Sequence, residues 1–261
     1  MSSHERASHD DINNVTYQRC QFAYEYVLPL IKGKRILDLG CGLAYGTALM
    51  AEYASAITGV DYDAATIESN KSRYKSIPNL SFQRASLPPL PFADNSYEVI
   101  TMFQFIEHLH DRKKLVEECK RVLTDNGMLI ITTPNAVKSF ARNPFHVHEY
   151  TFDEMSWELS SVFPYHELKS LKGNEKVNTY YAQNEKFVKK ILRWDIFGLH
   201  KIIPASLLMK PYNLITTLMR KMLKKKVDET VGITTADFFL ESETLAEGWD
   251  IYAIAKKSVR D

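Results

Sequence analysis

The chain has 261 residues, of which 45% are hydrophobic and 25% are charged. This composition is typical of a globular protein with one large core and room for an insertion or a small appendage. Lysine and arginine number 33 and aspartate and glutamate number 32, so the near-neutral charge argues against a generally basic surface for nucleic acid.

The cysteines and the amino terminus indicate the cellular environment. Cys20, Cys41 and Cys119 form no Cys-x-x-Cys pair, and an odd, widely spaced set favours a reducing cytoplasm over a disulfide framework. Residues 1–11 are polar and lack the apolar segment of a secretory signal, and we expect residues 1–14 to be mobile. No apolar run reaches the roughly 18 residues of a membrane span. We therefore expect a soluble, cytoplasmic protein that can still touch a membrane surface.

The first half of the chain alternates between helical and strand patterns. Apolar residues at helical spacing predict a helix from Val15 to Ile31, and further helices are predicted at 45–53, 63–74 and 112–123. Asp63 is a plausible N-cap for the helix at 63–74. Short apolar runs predict strands at 35–39, 56–60, 80–83, 97–103 and 128–133.

This alternation predicts an α/β fold with a Rossmann-like, doubly wound and mostly parallel sheet. After Pro134 we expect a helix at 153–163 and strands at 165–171 and 248–256, which gives seven strands in all. A helix-rich insertion at 173–245 precedes the last strand. The predicted α/β domain therefore comprises residues 15–172 and 246–258.

Ligands of such sheets bind outside the carboxyl ends of the strands. In this sequence those ends fall at 38–46, 61, 85–86 and 103–108, and the polar residues of interest are concentrated there.

Residues 37–46, LDLGCGLAYG, resemble the first motif of class I S-adenosylmethionine-dependent methyltransferases. Gly40 and Gly42 allow the backbone to approach a ligand closely, and the helix that follows presents free N–H groups. A dinucleotide-binding fingerprint requires G-x-G-x-x-G, and the third glycine here, Gly46, comes one residue too late. A plain strand-to-helix turn is the other alternative.

Three further segments share the resemblance, which covers residues 17–152 and the closing strand. Asp61, about 20 residues past the glycines, can accept hydrogen bonds from ribose hydroxyls or simply begin a turn. The segment 90–100, LPFADNSYEVI, resembles the family's approach to its fourth strand, with Ser86 where an acidic adenine contact is common. The segment 17–23, YQRCQFA, resembles the family's preceding helix, and its arginine either pairs with the cofactor carboxylate or is solvated. The resemblance implies S-adenosylmethionine as cofactor, bound by Arg19, Asp38, Gly40, Gly42, Asp61, Tyr62, Ser86, Leu87 and Phe103.

Histidines supply the candidate catalytic groups. The segment 103–108, FQFIEH, matches the family near the sulfonium, where His108 can remove a proton or brace a loop. In quinone-pathway O-methyltransferases a Glu-x-x-Glu-His arrangement can bind a divalent metal, but Gln104 occupies the first acidic position here, so we predict no metal site.

The segment 143–150, NPFHVHEY, resembles bacterial methyltransferases associated with polysaccharide and sugar modification. If it is extended, His146 and His148 point the same way and form a base, a metal pair or a loop anchor. The predicted catalytic residues are therefore His108, His146 and His148.

The preferred function is O-methylation of a sugar or glycan-precursor hydroxyl by direct in-line transfer. The alternatives are methylation of a quinone or lipid-like phenol, and a catalytically silent cofactor-binding or scaffold protein. Residues 191–226 mix apolar runs with a basic end, which is consistent with a substrate lid, a homodimer contact or a peripheral membrane patch. We expect no nucleic-acid partner.

Overall fold

The computed structural model of the protein describes residues 15–139, 143–193 and 232–258. Within these residues it contains helices α1 (Val15–Ile31), α2 (Tyr45–Ala51), α3 (Ala64–Arg73), α4 (Arg112–Val122), α5 (Phe152–Ser160) and α6 (Glu175–Leu192). The strands are β1 (Arg35–Leu39), β2 (Ala56–Asp61), β3 (Leu80–Arg84), β4 (Tyr97–Phe103), β5 (Leu123–Pro134), β6 (Tyr165–Gly173), β7 (Phe238–Glu241) and β8 (Asp250–Lys256).

All eight strands form one sheet in the order β3-β2-β1-β4-β5-β8-β6-β7. The first five pair in parallel, β8 is antiparallel to both β5 and β6, and β7 is antiparallel to β6. The Rossmann-like, mostly parallel sheet is therefore confirmed. The strand order reverses between β1 and β4, which places the expected ligand-binding crevice at their carboxyl ends.

The strand count differs from the seven expected. The additional strand, β7, lies inside the segment predicted as a helix-rich insertion, and its four residues pair with the end of β6. Four residues are too few to show a strand pattern in the sequence. Its first residue, Phe238, is 4% exposed and packs in the core, so this part of the predicted insertion completes the sheet.

Local sequence explains where the helices begin. The Asp63 side chain accepts hydrogen bonds from the backbone of Ala65 and Thr66 at the start of α3, which confirms the predicted N-cap. At the start of α5, Thr151 and Glu154 form a capping box. Helix α4 buries Leu115, Cys119 and Val122 on one face at helical spacing.

Two apolar clusters cover the two faces of the sheet. One contains residues of α4 and α5, and the other contains residues of α1, α2 and α6. Strand β1 lies between them with Ile36 to Leu39 all buried, as expected for a central parallel strand covered on both faces.

Several sequence predictions fall largely outside the described residues. The predicted mobile segment at residues 1–14 lies outside them. So does most of the segment 191–226, for which we considered a lid, a dimer contact or a membrane patch. In the part of the chain that the structure does describe, no helix combines the length and the hydropathy that crossing a bilayer would require.

Candidate functional site

The glycine turn after β1 has the backbone conformation that its residues predict. Gly40 has φ +75° and Gly42 has φ +52°, both in the left-handed region that favours glycine. A Cβ on Gly40 would lie 2.4 Å from the Phe105 ring, so the Phe105 side chain also requires a glycine there. A Cβ on Gly42 would meet nothing closer than the Gly40 carbonyl at 4.0 Å, which leaves open space on that side of the turn.

Asp61, at the end of β2, is held against this turn. Its Oδ2 accepts a hydrogen bond from the Gly42 backbone N–H at 3.1 Å, and its Oδ1 accepts one from Asp63 N–H at 3.0 Å. A carboxylate oxygen can accept more than one hydrogen bond, so a group of this type suits hydroxyl donors. Next to it, the Tyr62 side chain is 45% exposed. Asp61 is thus hydrogen-bonded both to the glycine turn and to the start of the next turn, as the alternative role predicted for it requires, and its contact with a cofactor stays a prediction.

Asp38 makes internal contacts. The residue is 1% exposed, and its oxygens accept hydrogen bonds from the hydroxyls of Thr47 at 2.6 Å and Thr101 at 2.7 Å. Burial raises the pKa of this carboxyl to about 6, against the effect of the two hydroxyls. Asp38 therefore links β1 to α2 and β4, and its predicted contact with a cofactor stays a prediction.

The Arg19 side chain lies inside the protein, so the alternative of a solvated arginine is wrong. Its Nε lies 2.9 Å from Asp250 Oδ2, and its Nη1 donates to the Tyr181 hydroxyl at 3.0 Å. Burial raises the pKa of the Asp250 carboxyl even though Arg19 lowers it. The sequence interpretation missed Asp250 and Tyr181, because they come from β8 and α6, far along the chain.

The other predicted cofactor residues occupy different environments. Ser86 is exposed and Leu87 is half-buried against the core, both after β3. Phe103, at the end of β4, is 6% exposed and packs edge-on against the Tyr24 ring, with centroids 4.8 Å apart.

Two loops meet beyond the ends of β4 and β5. A short 3-10 turn, Ile106–His108, follows β4, and residues 143–149 lie in the loop after β5. The backbone N–H groups of Val147 and His148 donate to the Glu107 carbonyl at 2.7 and 3.1 Å. His108 Nδ1 lies 3.0 Å from the Phe145 carbonyl oxygen. The two loops are therefore bound to each other at three points.

This junction gathers an acid and two imidazoles, here termed the Glu-His-His cluster (Glu107, His108 and His146). One potential ligand atom from each residue lies within 4.8 Å of the others, and the two rings are 5.0 Å apart at an angle of 77°. Burial raises the pKa of Glu107 to about 7 and lowers that of His108 to about 4. At neutral pH, His108 is uncharged.

His146 and His148 have different partners. His146 Nδ1 lies 2.6 Å from Glu149 Oε1, and its Nε2 lies 2.8 Å from Asn143 Nδ2. The His148 ring packs edge-on against Tyr150, and its Nε2 lies 3.9 Å from Glu154 Oε2. The segment turns at His146, whose N–H donates to the Asn143 carbonyl, so the condition for a shared direction is not met. The structure brings His108 and His146 together and places His148 beside Tyr150.

Comparison with known proteins identifies the domain. A family model described as "Methyltransferase domain" matches residues 37–131. A probable S-adenosylmethionine-dependent methyltransferase of Mycobacterium tuberculosis strain H37Rv is 37% identical over 151 residues, which cover 56% of this chain and 54% of that protein. A ubiquinone biosynthesis O-methyltransferase of Coxiella burnetii is 26% identical over 106 residues, covering 40% of this chain and 45% of that protein. The chain thus spans about half the length of the curated relatives it matches.

A solved structure supports the same fold. The YcgJ protein from Bacillus subtilis superposes with a TM-score of 0.53 at 22% identity, over 64% of this chain and 82% of that one. Residues 37–131 therefore match a methyltransferase domain, and the sheet order, the glycine turn and Asp61 are in keeping with the class I S-adenosylmethionine-dependent methyltransferases that the chain resembles.

Proposed function

We propose that the protein transfers the methyl group of S-adenosylmethionine to a hydroxyl oxygen, and that the acceptor is a sugar or a glycan precursor. The observation that carries the methyltransferase assignment is the contact between Asp61, at the end of β2, and Gly42, in the turn after β1. Strand β1 is one of the two strands between which the strand order reverses. The contact fixes a carboxylate beside a turn whose outer side is open.

The residues present fit the cofactor. The open side of Gly42 admits a ligand against the backbone, and a carboxylate such as that of Asp61 is the type of group to which ribose hydroxyls donate hydrogen bonds. The Tyr62 side chain next to Asp61 is 45% exposed, and an aromatic ring is the type of surface on which a flat base stacks. When bound, S-adenosylmethionine supplies an electrophilic methyl carbon, and the protein aligns the acceptor and excludes water.

We assign proton removal from the acceptor to the predicted histidines. A carbonyl or carboxylate oxygen can only accept a hydrogen bond, so Nδ1 of His108 and Nδ1 of His146 carry the protons that face Phe145 and Glu149. In a neutral imidazole with its proton on Nδ1 the lone pair is on Nε2, the atom able to accept a proton. Glu149 orients His146 in the way that a carboxylate orients a catalytic base.

The acceptor class rests on the sequence resemblance of residues 143–150 to sugar-modifying methyltransferases. The second candidate, a quinone or lipid-like phenol, is favoured by the similarity to a ubiquinone biosynthesis O-methyltransferase over 106 residues. The third candidate is a protein that binds the cofactor without transferring its methyl group, since binding and catalysis are separable. Homodimer formation and peripheral membrane contact through residues 191–226 are further proposals.

The cofactor assignment is tested by calorimetry with S-adenosylmethionine. We expect the unaltered protein to bind S-adenosylmethionine and the Asp61→Ala variant to bind it about 10- to 100-fold more weakly. The reason is that a hydrogen bond to a charged group contributes roughly 1.5–3 kcal/mol to the binding free energy. Asp125→Ala, which removes a carboxylate that is 80% exposed, should bind like the unaltered protein. Absence of both binding heat and thermal stabilisation at high cofactor concentration would show that the assignment is wrong.

The base assignment is tested by turnover with labelled S-adenosylmethionine and a panel of nucleotide sugars, glycan-lipid precursors and phenols. We expect His108→Ala, His146→Ala and His148→Ala to lower kcat, by about 10²- to 10⁴-fold for a true general base, while cofactor affinity stays nearly constant. His110→Gln, on an exposed side chain, is the matched control. Full activity in all three alanine variants would exclude a histidine base, and the acceptor that gains label decides between sugar and phenol.

A further inference from the structure

We propose that the Glu-His-His cluster is a binding site for one divalent transition-metal ion of the Zn²⁺ type. The sequence argued against a metal because Gln104 stands where an acidic ligand was expected. The fold supplies the third ligand from a separate segment, since His146 lies within 4.8 Å of the ligand atoms of Glu107 and His108. The site follows from geometry, while any part it plays in catalysis rests on the proposed methyl transfer.

Both imidazoles are oriented as metal ligands are. His108 donates Nδ1–H to the Phe145 carbonyl and His146 donates Nδ1–H to the Glu149 carboxylate, at 3.0 and 2.6 Å. Histidines that bind metals through one nitrogen usually donate the other N–H to such an oxygen, which fixes the ring and raises its basicity. In both residues Nε2 is therefore the nitrogen that can coordinate, and a histidine that holds the ion through this atom does not also serve as the general base.

Glu107 supplies a carboxylate with one oxygen on the histidine side. Its Oε2 accepts a hydrogen bond from the Thr133 hydroxyl at 3.0 Å, and its Oε1 lies 4.0 Å from His108 Nε2. The residue is 1% exposed. A carboxylate removed from water to this degree is strongly stabilised by a cation placed beside it.

The distances permit closure around one ion. Ligand atoms that each bind at about 2.1 Å in a tetrahedral arrangement lie about 3.4 Å apart, so side-chain rotations that move these atoms by about 1.4 Å or less are sufficient. The three hydrogen bonds between the loops already fix the backbone. His146 Nε2 has to exchange the Asn143 amide, now 2.8 Å away, for the ion.

The ligand set selects the class of ion. Two nitrogens and one oxygen suit zinc, cobalt, iron or manganese, whereas Mg²⁺ and Ca²⁺ prefer sites made entirely of oxygen. Three protein ligands leave at least one position for a water or for the acceptor hydroxyl. An ion there would lower the pKa of that hydroxyl and so assist its deprotonation.

The test is titration of the untagged full chain, after treatment with chelator, with Co²⁺ followed by visible absorption and with Zn²⁺ followed by calorimetry. We expect one ion per chain. Glu107→Gln and His146→Asn should each weaken binding by more than about 100-fold, and Glu149→Gln, which removes only an orienting partner, by about 10-fold. His110→Gln, an exposed histidine two residues from His108, should bind as tightly as the unaltered protein.

Cofactor calorimetry on the same samples reports whether each variant is folded. A protein that binds S-adenosylmethionine but takes up no stoichiometric Co²⁺ overturns the metal site and leaves the proposed function intact. Equal Co²⁺ affinity in Glu107→Gln and His146→Asn also overturns it, as does displacement of Co²⁺ by moderate excess of Mg²⁺. Stoichiometric Co²⁺ uptake without cofactor binding supports the metal site and contradicts the methyltransferase assignment.

Discussion

Asp38 illustrates how a side chain within a recognisable motif can have a structural role that the motif does not reveal. The sequence pattern placed it among the cofactor contacts. In the structure its two oxygens accept hydrogen bonds from Thr47 on α2 and Thr101 on β4, in a site that is 1% exposed. Asp38 therefore links β1 and α2, the two elements that flank the glycine turn, to each other and to β4.

The raised pKa of Asp38 has a measurable effect on stability. Its folded-state pKa of about 6 exceeds the usual 3.8, so the folded protein retains this proton more readily than the unfolded chain. Stability from this group is consequently lost as pH rises from about 4 to about 6. Compared with Asp38→Asn, we expect the unfolding free energy of the unaltered protein to fall by about 1 kcal/mol between pH 5 and pH 7.

Urea unfolding of both proteins at the two pH values measures this difference, and other titrating groups cancel in the comparison. Asp125→Asn, at an exposed position, should show no such change relative to the unaltered protein. A constant offset between the unaltered protein and Asp38→Asn would contradict the assigned pKa.

At the scale of secondary-structure elements, helices α1 and α2 are in contact where aromatic side chains pack closely against a glycine of α2. Tyr24 of α1 packs against Tyr45 and against Phe103 of β4, with ring centroids 5.6 and 4.8 Å away. A Cβ on Gly46 would lie 2.3 Å from the Tyr24 ring. The third glycine of the first motif is thus required for helix packing.

Gly46→Ala should therefore destabilise the protein, by about 1–3 kcal/mol, because overpacking the contact outweighs the better helix propensity of alanine. Chemical denaturation measures the loss. A double variant with Tyr24→Leu should lose less than the sum of the two single changes, since the smaller side chain relieves the clash. Unchanged or increased stability in Gly46→Ala would show that the two helices do not meet as described.

At the scale of the whole molecule, the sequence predicted what depends on local pattern. Buried apolar runs alternating with helices identified β1 to β5, and the glycine turn and Asp61 follow them by position alone. The Glu-His-His cluster could not be predicted, because His146 approaches Glu107 only when the loops after β4 and β5 fold onto each other. The Arg19–Asp250 pair and strand β7 likewise depend on contacts between distant segments.

The position of β8 between β5 and β6 has a consequence for folding. The side-chain amide of Asn135, the residue after β5, donates to the carbonyl of Gly248, a residue 113 positions later. During synthesis the parallel half of the sheet is therefore complete while β5 still presents an unpaired edge, which is a template for association with other chains. Contacts of such long sequence separation form slowly. We expect nascent chains to be most vulnerable to aggregation in the interval before β8 emerges from the ribosome and covers that edge.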